Sequence, residues 1–118
     1  MSLNKLDSYC DNYGFTKDES MVQLAHALSS GKPDGIAIDI YASNTYMLLL
    51  RAFERHPVIE MTSNQLTICK SDGTSISNIL LEKVDSCISK WYNGSCLEMV
   101  ISIYGLCYQV LINFKKSS

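Results

Sequence analysis

Histidine is almost absent from this chain, and what little there is stands alone. The 118 residues contain two histidines, His26 and His56, and five cysteines, at positions 10, 69, 87, 96 and 107. No two of these seven residues lie within four positions of each other, and no C-x-x-C occurs. A zinc site built from short paired spacings is thereby excluded, and a metal would need ligands converging from distant segments. No apolar run approaches the ~18 residues needed to span a bilayer. The opening Met-Ser-Leu-Asn-Lys-Leu-Asp lacks a charged-then-apolar leader pattern, and the cysteine count is odd. Both observations point to a reducing, cytoplasmic setting in which cysteines act as small hydrophobes. In that setting the sequon Asn93-Gly94-Ser95 is idle.

Charge is sparse as well, at 19% of residues with a net value of −2. It is also uneven. Residues 1–60 hold eight acids against five bases, and residues 61–118 hold four against five. Nucleic-acid binding relies on clustered Lys and Arg to replace counterions, and the only adjacent basic pair is Lys115-Lys116 near the chain end. The expectation is no nucleic acid, no membrane and no cofactor. Ser29-Ser30-Gly31-Lys32 does not make a phosphate loop. Such a loop follows a strand and opens a helix, whereas here a helix comes first and Pro33-Asp34 follows.

What the chain does contain is alternation. Setting Tyr104-Gly105 as a two-residue turn places Ile103 opposite Leu106, Ile101 opposite Tyr108, Met99 opposite Val110 and Leu97 opposite Ile112. All of these fall on one face, because strand side chains alternate with period two. The other face collects Glu98, Ser102, Cys107, Gln109 and Asn113, with Val100 and Leu111 as apolar exceptions. A slip of one residue would turn the apolar set to water, so the register is strongly specified. Val58 to Lys70 repeats the pattern around Ser63-Asn64, with Met61 opposite Leu66 and Ile59 opposite Ile68. Gly35 to Tyr41 reads as a strand lined on one face by Ile36, Ile38 and Ile40.

Three segments carry helical spacing. Residues 3–13 place Leu3, Leu6, Cys10 and Tyr13 on one stripe before Gly14, with Asp7 and Asp11 one turn apart on the other side. Thr16-Lys-Asp-Glu19 reads as a capping box that opens a helix through Met21, Leu24, Ala25 and Leu28 to Gly31. From Ser75, the spacing of Ile76, Leu80, Val84, Cys87, Ile88 and Trp91 predicts an amphipathic helix ending at Asn93-Gly94. Residues 45–55 fit a helix capped by Ser43 or a second strand after an Ala42–Thr45 turn. Their Met, Leu, Arg, Ala and Glu content favours the helix. The sum is one α+β domain over residues 1–118. It is a two-layer structure with an antiparallel sheet of five or six strands and two to three helices on one face.

No motif dictates a chemistry. Cys87 falls on an apolar stripe, which favours packing. Cys69, Cys96 and Cys107 fall on the more polar strand faces, so a thiol-dependent enzyme would use one of them, with His56 beside Cys107 or Cys69 as base. Asp34 with Asp39, or Glu54 with Glu60, could pair for acid–base work, but acids this dispersed read as surface charge. Seven tyrosines against three phenylalanines suit half-buried positions and contact surfaces, Tyr41 and Tyr104 above all. The profile points first to a non-enzymatic, protein-binding inhibitor of the immunity or antitoxin kind, monomeric or homodimeric. It would occlude a toxic enzyme such as a basic nuclease, with Asp7, Asp11, Asp34 and Asp39 steering and Tyr41 as an anchor. A dimeric, secretion-chaperone-like binding protein is the alternative, and the thiol enzyme is the alternative of another class.

Overall fold

In a computed structural model of the chain, residues 16–114 are described. The element order is α1 (Lys17–Ser30), β1 (Pro33–Ala42), β2 (Leu48–Arg55), β3 (Val58–Met61), β4 (Gln65–Cys69), β5 (Ser75–Leu80), a single 3-10 turn (Leu81–Lys83), β6 (Val84–Tyr92), β7 (Cys96–Ile103) and β8 (Leu106–Phe114). The strands form two antiparallel sheets, one of five strands in the order β2-β1-β8-β7-β6 and one of three in the order β3-β4-β5. The domain is therefore α+β with an antiparallel sheet of five strands, but where a single sheet of five or six was expected the eight strands divide between two, and the β3–β4 hairpin belongs to the smaller one. The domain has one helix among the described residues where two to three were expected. The predicted 3–13 helix, with Asp7 and Asp11, lies outside those residues.

The β7–β8 hairpin has the expected register, with Ile103 opposite Leu106, Ile101 opposite Tyr108, Met99 opposite Val110 and Leu97 opposite Ile112. Its turn is Tyr104-Gly105, both with positive φ (53° and 73°). That is the two-residue turn whose twist matches the flanking strands. The β3–β4 hairpin likewise pairs Met61 with Leu66 and Ile59 with Ile68. β1 buries Ile36 and Ile38 as its alternation requires. Helix α1 begins at the expected cap, where the Glu19 carboxylate accepts from the Thr16 amide (3.4 Å) and hydroxyl (2.7 Å). Those bonds stabilise the charged form and hold the Glu19 carboxyl below its ordinary pKa. The helix closes at Gly31, whose amide donates to the Ala27 carbonyl.

Two expectations are corrected. Residues 75–91 are not a helix but β5, the 3-10 turn and β6. Asn93-Gly94, read as a helix stop, instead opens a three-residue hairpin loop, Asn93-Gly94-Ser95, with φ of 53° and 68° at its first two residues. It sets Tyr92 opposite Cys96, Trp91 opposite Leu97 and Ser89 opposite Met99. Residues 45–55 take the strand alternative. Leu48–Arg55 forms β2 and pairs with β1, with a bulge that leaves Leu49 between the Tyr41–Leu48 and Ile40–Leu50 pairs.

One core lies between the layers. On the inner face of the large sheet, aligned rows run Ile36–Ile112–Leu97–Trp91, Ile38–Val110–Met99–Ser89 and Ile40–Tyr108–Ile101–Cys87. Apart from Ser89, these residues belong to or pack against the same apolar cluster as Ile59, Leu66, Ile68 and Ile79 of the small sheet and Leu24 of α1. The helix is pinned over β6 by polar contacts. Ser20 and Ser89, both fully buried, share a hydrogen bond of 2.6 Å. Trp91 Nε1 donates to Gln23 Oε1 at 3.1 Å. Lys17 Nζ donates to the Val84 carbonyl at 3.1 Å.

Candidate functional site

The residues left for function are those that the core does not use, and they concentrate on β2 and the outer face beside it. Strand alternation that sends Ile36 and Ile38 inward sends Ala37, Asp39 and Tyr41 outward. Their partners on β2 and β8 extend the outer rows: Phe53–Ala37–Leu111, and beside it Arg51–Asp39–Gln109. Phe53 is 65% exposed and Leu111 37%. They flank the small side chain of Ala37, which leaves a shallow apolar saddle. Next to it, Arg51 Nε and Nη2 donate to the two Asp39 carboxylate oxygens at 2.8 and 3.2 Å. This forked geometry aligns the guanidinium plane with the carboxylate. The Asp39 hydrogen bond and charge raise the Arg51 pKa further, so the guanidinium stays charged at any physiological pH.

Along the strand, the apolar run continues past the face and onto the sheet edge. Met47, Leu48, Leu49 and Leu50 are all exposed, Met47 at 61% and Leu49 at 52%. The run is anchored at the β1–β2 tip, where Ala42 donates its amide to Met47, Tyr46 to Ala42, and Ser43 to Gly105 of the β7–β8 turn. At the other end of β2 an open recess of about 390 Å³ is lined by Asp34, Gly35, Phe53, Arg55, His56 and Asn113. It presents charges of both signs, and His56 Nδ1 sits 3.8 Å from Asp34 Oδ1.

The expected site residues are only partly brought together. Asp39 and Tyr41 share the outer face of β1, and the Tyr41 hydroxyl lies 3.5 Å from Asp39 Oδ2. Asp34 stands apart, at the far end of β1 beside His56. Both described acids therefore already face a basic side chain. The thiols are scattered. Cys107 is opposite Tyr41, seven residues along β1 from Asp34, or roughly 23 Å at the ~3.3 Å rise of a strand. It does not meet His56. Cys96 sits three strands from His56, opposite Asn113. Cys69 is opposite Val58, two residues beyond His56, while the His56 imidazole turns to Asp34 instead. Burial pushes the Cys96 thiol up, and the charge of Glu98 adds to that. Burial drives Cys87 up to about 11. Neither shift activates a nucleophile, because activation requires a lowered thiol pKa.

No protein-family model, curated protein or solved structure matches this chain. The site therefore rests on its own geometry. Among the described residues, no group of three or more His, Cys, Asp or Glu side chains is placed to hold a metal ion. No helix among them is long and apolar enough to cross a membrane. Of the residues on this outer face, the sequence reading names Asp39 and Tyr41 but not Phe53, Leu111 or Arg51. Leu111 was visible as an apolar intruder on the polar face of its hairpin. Phe53 and Arg51 were hidden by the helical reading of their segment.

Proposed function

We propose that this chain is a small protein-binding inhibitor, of the immunity or antitoxin kind, which covers the active site of a toxic enzyme with the outer face around β1 and β2. The observation that supports this reading is the Phe53–Ala37–Leu111 row beside the Asp39–Arg51 pair. Interface centres favour aromatic and arginine side chains that lose little entropy on docking, around an apolar spot that excludes water. Arg51 is held in place by Asp39, so its plane is already oriented for a partner carboxylate or ring. Because Asp34 and Asp39 face His56 and Arg51, charge steering toward a basic partner would fall to Asp7 and Asp11.

The test is capture from host lysate at low and moderate salt with the native chain and a Leu111→Lys variant. The expected result is one stoichiometric partner whose enzymatic activity the native chain suppresses, with affinity at least ~10-fold weaker for the variant. A partner held equally well by the variant, or no inhibition of the partner's activity, would remove the assignment.

A further inference from the structure

At three positions the chain sets an acid or its amide directly before glycine: Asp34-Gly35, Asp72-Gly73 and Asn93-Gly94. At such a pair the main-chain nitrogen of the glycine can attack the preceding side-chain carbonyl and close a five-membered imide. Glycine matters because it has no Cβ to crowd the ring as it forms. The reaction also needs a side-chain carbonyl that is a good electrophile, a glycine amide not committed to an acceptor, and a backbone able to rotate.

The fold withholds these conditions from two of the three pairs. Gly35 lies within β1 between β2 and β8, opposite Arg55 on one side and Asn113 on the other, so the sheet fixes its peptide. The Gly73 amide donates to the Lys70 carbonyl at 2.9 Å. The Asp72 carboxylate accepts from the Thr74 amide at 2.8 Å, and that bond holds its carboxyl below the ordinary range. An ionised carboxylate is a poor electrophile.

Asn93-Gly94 differs in each respect. The pair stands at the end of the β6–β7 hairpin, and both residues are exposed. Neither the Asn93 carboxamide nor the Gly94 amide has a hydrogen-bond partner among the described residues. One bond spans the pair, from the Ser95 amide to the Tyr92 carbonyl at 3.1 Å. Chain neighbours aside, no atom lies within 4 Å of the place a Gly94 Cβ would take, so this segment can rotate out of its positive-φ geometry without collision. The carboxamide is also uncharged, unlike the carboxylates of the other two pairs.

We propose that Asn93 is a self-modification site, at which the chain converts its own asparagine to aspartate and isoaspartate with water as the only other reactant. The Gly94 nitrogen gives up its proton to solvent as it forms a bond to Asn93 Cγ. The Cγ–Nδ2 bond breaks, and Nδ2 takes a proton from water and leaves as ammonia. A second water then opens the imide. Cleavage of the bond between Cγ and the Gly94 nitrogen leaves an ordinary aspartate. Cleavage of the bond between that nitrogen and the Asn93 main-chain carbonyl carbon routes the main chain through Cβ and Cγ and leaves isoaspartate. No electron transfer is involved, and either product adds one negative charge to the chain's −2. Isoaspartate also lengthens the main chain by one methylene within a loop of three residues.

The modification stands independently of the inhibitor reading, and the purified chain alone tests it. Native protein is held folded in mildly alkaline buffer over several weeks and digested at intervals with trypsin, which releases residues 91–115 as one piece. That piece is expected to gain the mass of an oxygen in place of an NH group, with fragment ions placing the gain at Asn93 and not at Asn113. Chromatography should resolve two products, one of which co-elutes with the same piece from an Asn93→Asp variant. Asn93→Gln, whose longer side chain would have to close a six-membered ring, should lose the conversion while keeping the native circular dichroism. An unchanged mass at Asn93 in the folded chain overturns the proposal. So does a gain that Asn93→Gln retains, or isoaspartate that accumulates as fast at Asp34 or Asp72.

Discussion

The most constrained single residue is Cys87. Its thiol is buried under α1 beside Ser20, whose hydroxyl also bonds Ser89. Burial is the dominant influence. It raises the thiol from an ordinary 9.0 to about 11, and the weaker opposing pulls of the Ser20 hydrogen bond and the Lys17 charge do not cancel it. The raised value means the folded state binds the proton more tightly than the unfolded chain. Between pH 9 and 11 the unfolded thiol ionises while the folded one does not, so stability is full below pH 9 and falls as pH rises through that window. The loss is on the order of 2–3 kcal/mol. Urea unfolding of native and Cys87→Ala protein at pH 8 and pH 11 should show a stability difference that narrows with pH. A constant difference would mean that Cys87 does not titrate with unfolding. The same burial makes Cys87 inert to alkylating reagents in the folded protein at neutral pH.

Turns decide the architecture at the level of elements. Asn93-Gly94 and Tyr104-Gly105 both adopt positive φ at two successive residues, and both join strands of the large sheet. Asn-Gly is the strongest short-range hairpin signal a sequence carries. It stood in plain view between Trp91-Tyr92 and Cys96-Leu97. It was outweighed by the helical spacing of Ile76, Leu80, Val84, Cys87, Ile88 and Trp91, which crosses the 3-10 turn at Leu81–Lys83 and so mixes strands of two different sheets. The competing signal was composition, since Ile76, Ile79, Val84 and Ile88 are β-branched and suit a pleated surface. Gly94, with φ of 68° and no atom within 4 Å of an added Cβ, would suffer from backbone strain alone. Gly94→Ala should therefore lower stability by about 1 kcal/mol in chemical denaturation, while Gly31→Ala, in extended backbone, should cost nothing. Equal effects at the two positions would argue against the positive-φ turn. The strand β2 follows a similar logic, because helix-favouring Leu, Met, Arg and Ala are overridden by the edge of β1, which needs a hydrogen-bonding neighbour.

The molecule as a whole has two sheets but one core. Ile68, on the central strand of the small sheet, is fully buried in the cluster that includes Met99 and Ile101 of the large sheet. The two sheets should consequently unfold together. Ile68→Ala is expected to cost about 2–5 kcal/mol. The fluorescence of Trp91, the only tryptophan and a residue of β6, should report that loss in a single transition coincident with circular dichroism. Trp91 packs on Phe114 with ring centroids 5.9 Å apart and bonds to Gln23, so its signal reads the helix and large sheet together. Separate transitions for the two probes would show that the small sheet is an independent unit.

Local pattern was enough to determine the β7–β8 and β3–β4 pairings, the isoleucine face of β1 and the capped helix α1. In each, period and turn chemistry agree within a dozen or so residues, so no distant partner is needed to choose among alternatives. The fate of 45–55 and 75–91 was decided only by the tertiary structure. Their apolar residues satisfy both a helical and an extended period, and the choice falls to which neighbour has backbone groups left to pair. β1 offered an edge to β2, β4 one to β5 and β7 one to β6, and those edges drew both segments into strands. The candidate site follows from the same cause. Phe53, Ala37 and Leu111 come from three strands, and their row exists only once β2, β1 and β8 are aligned.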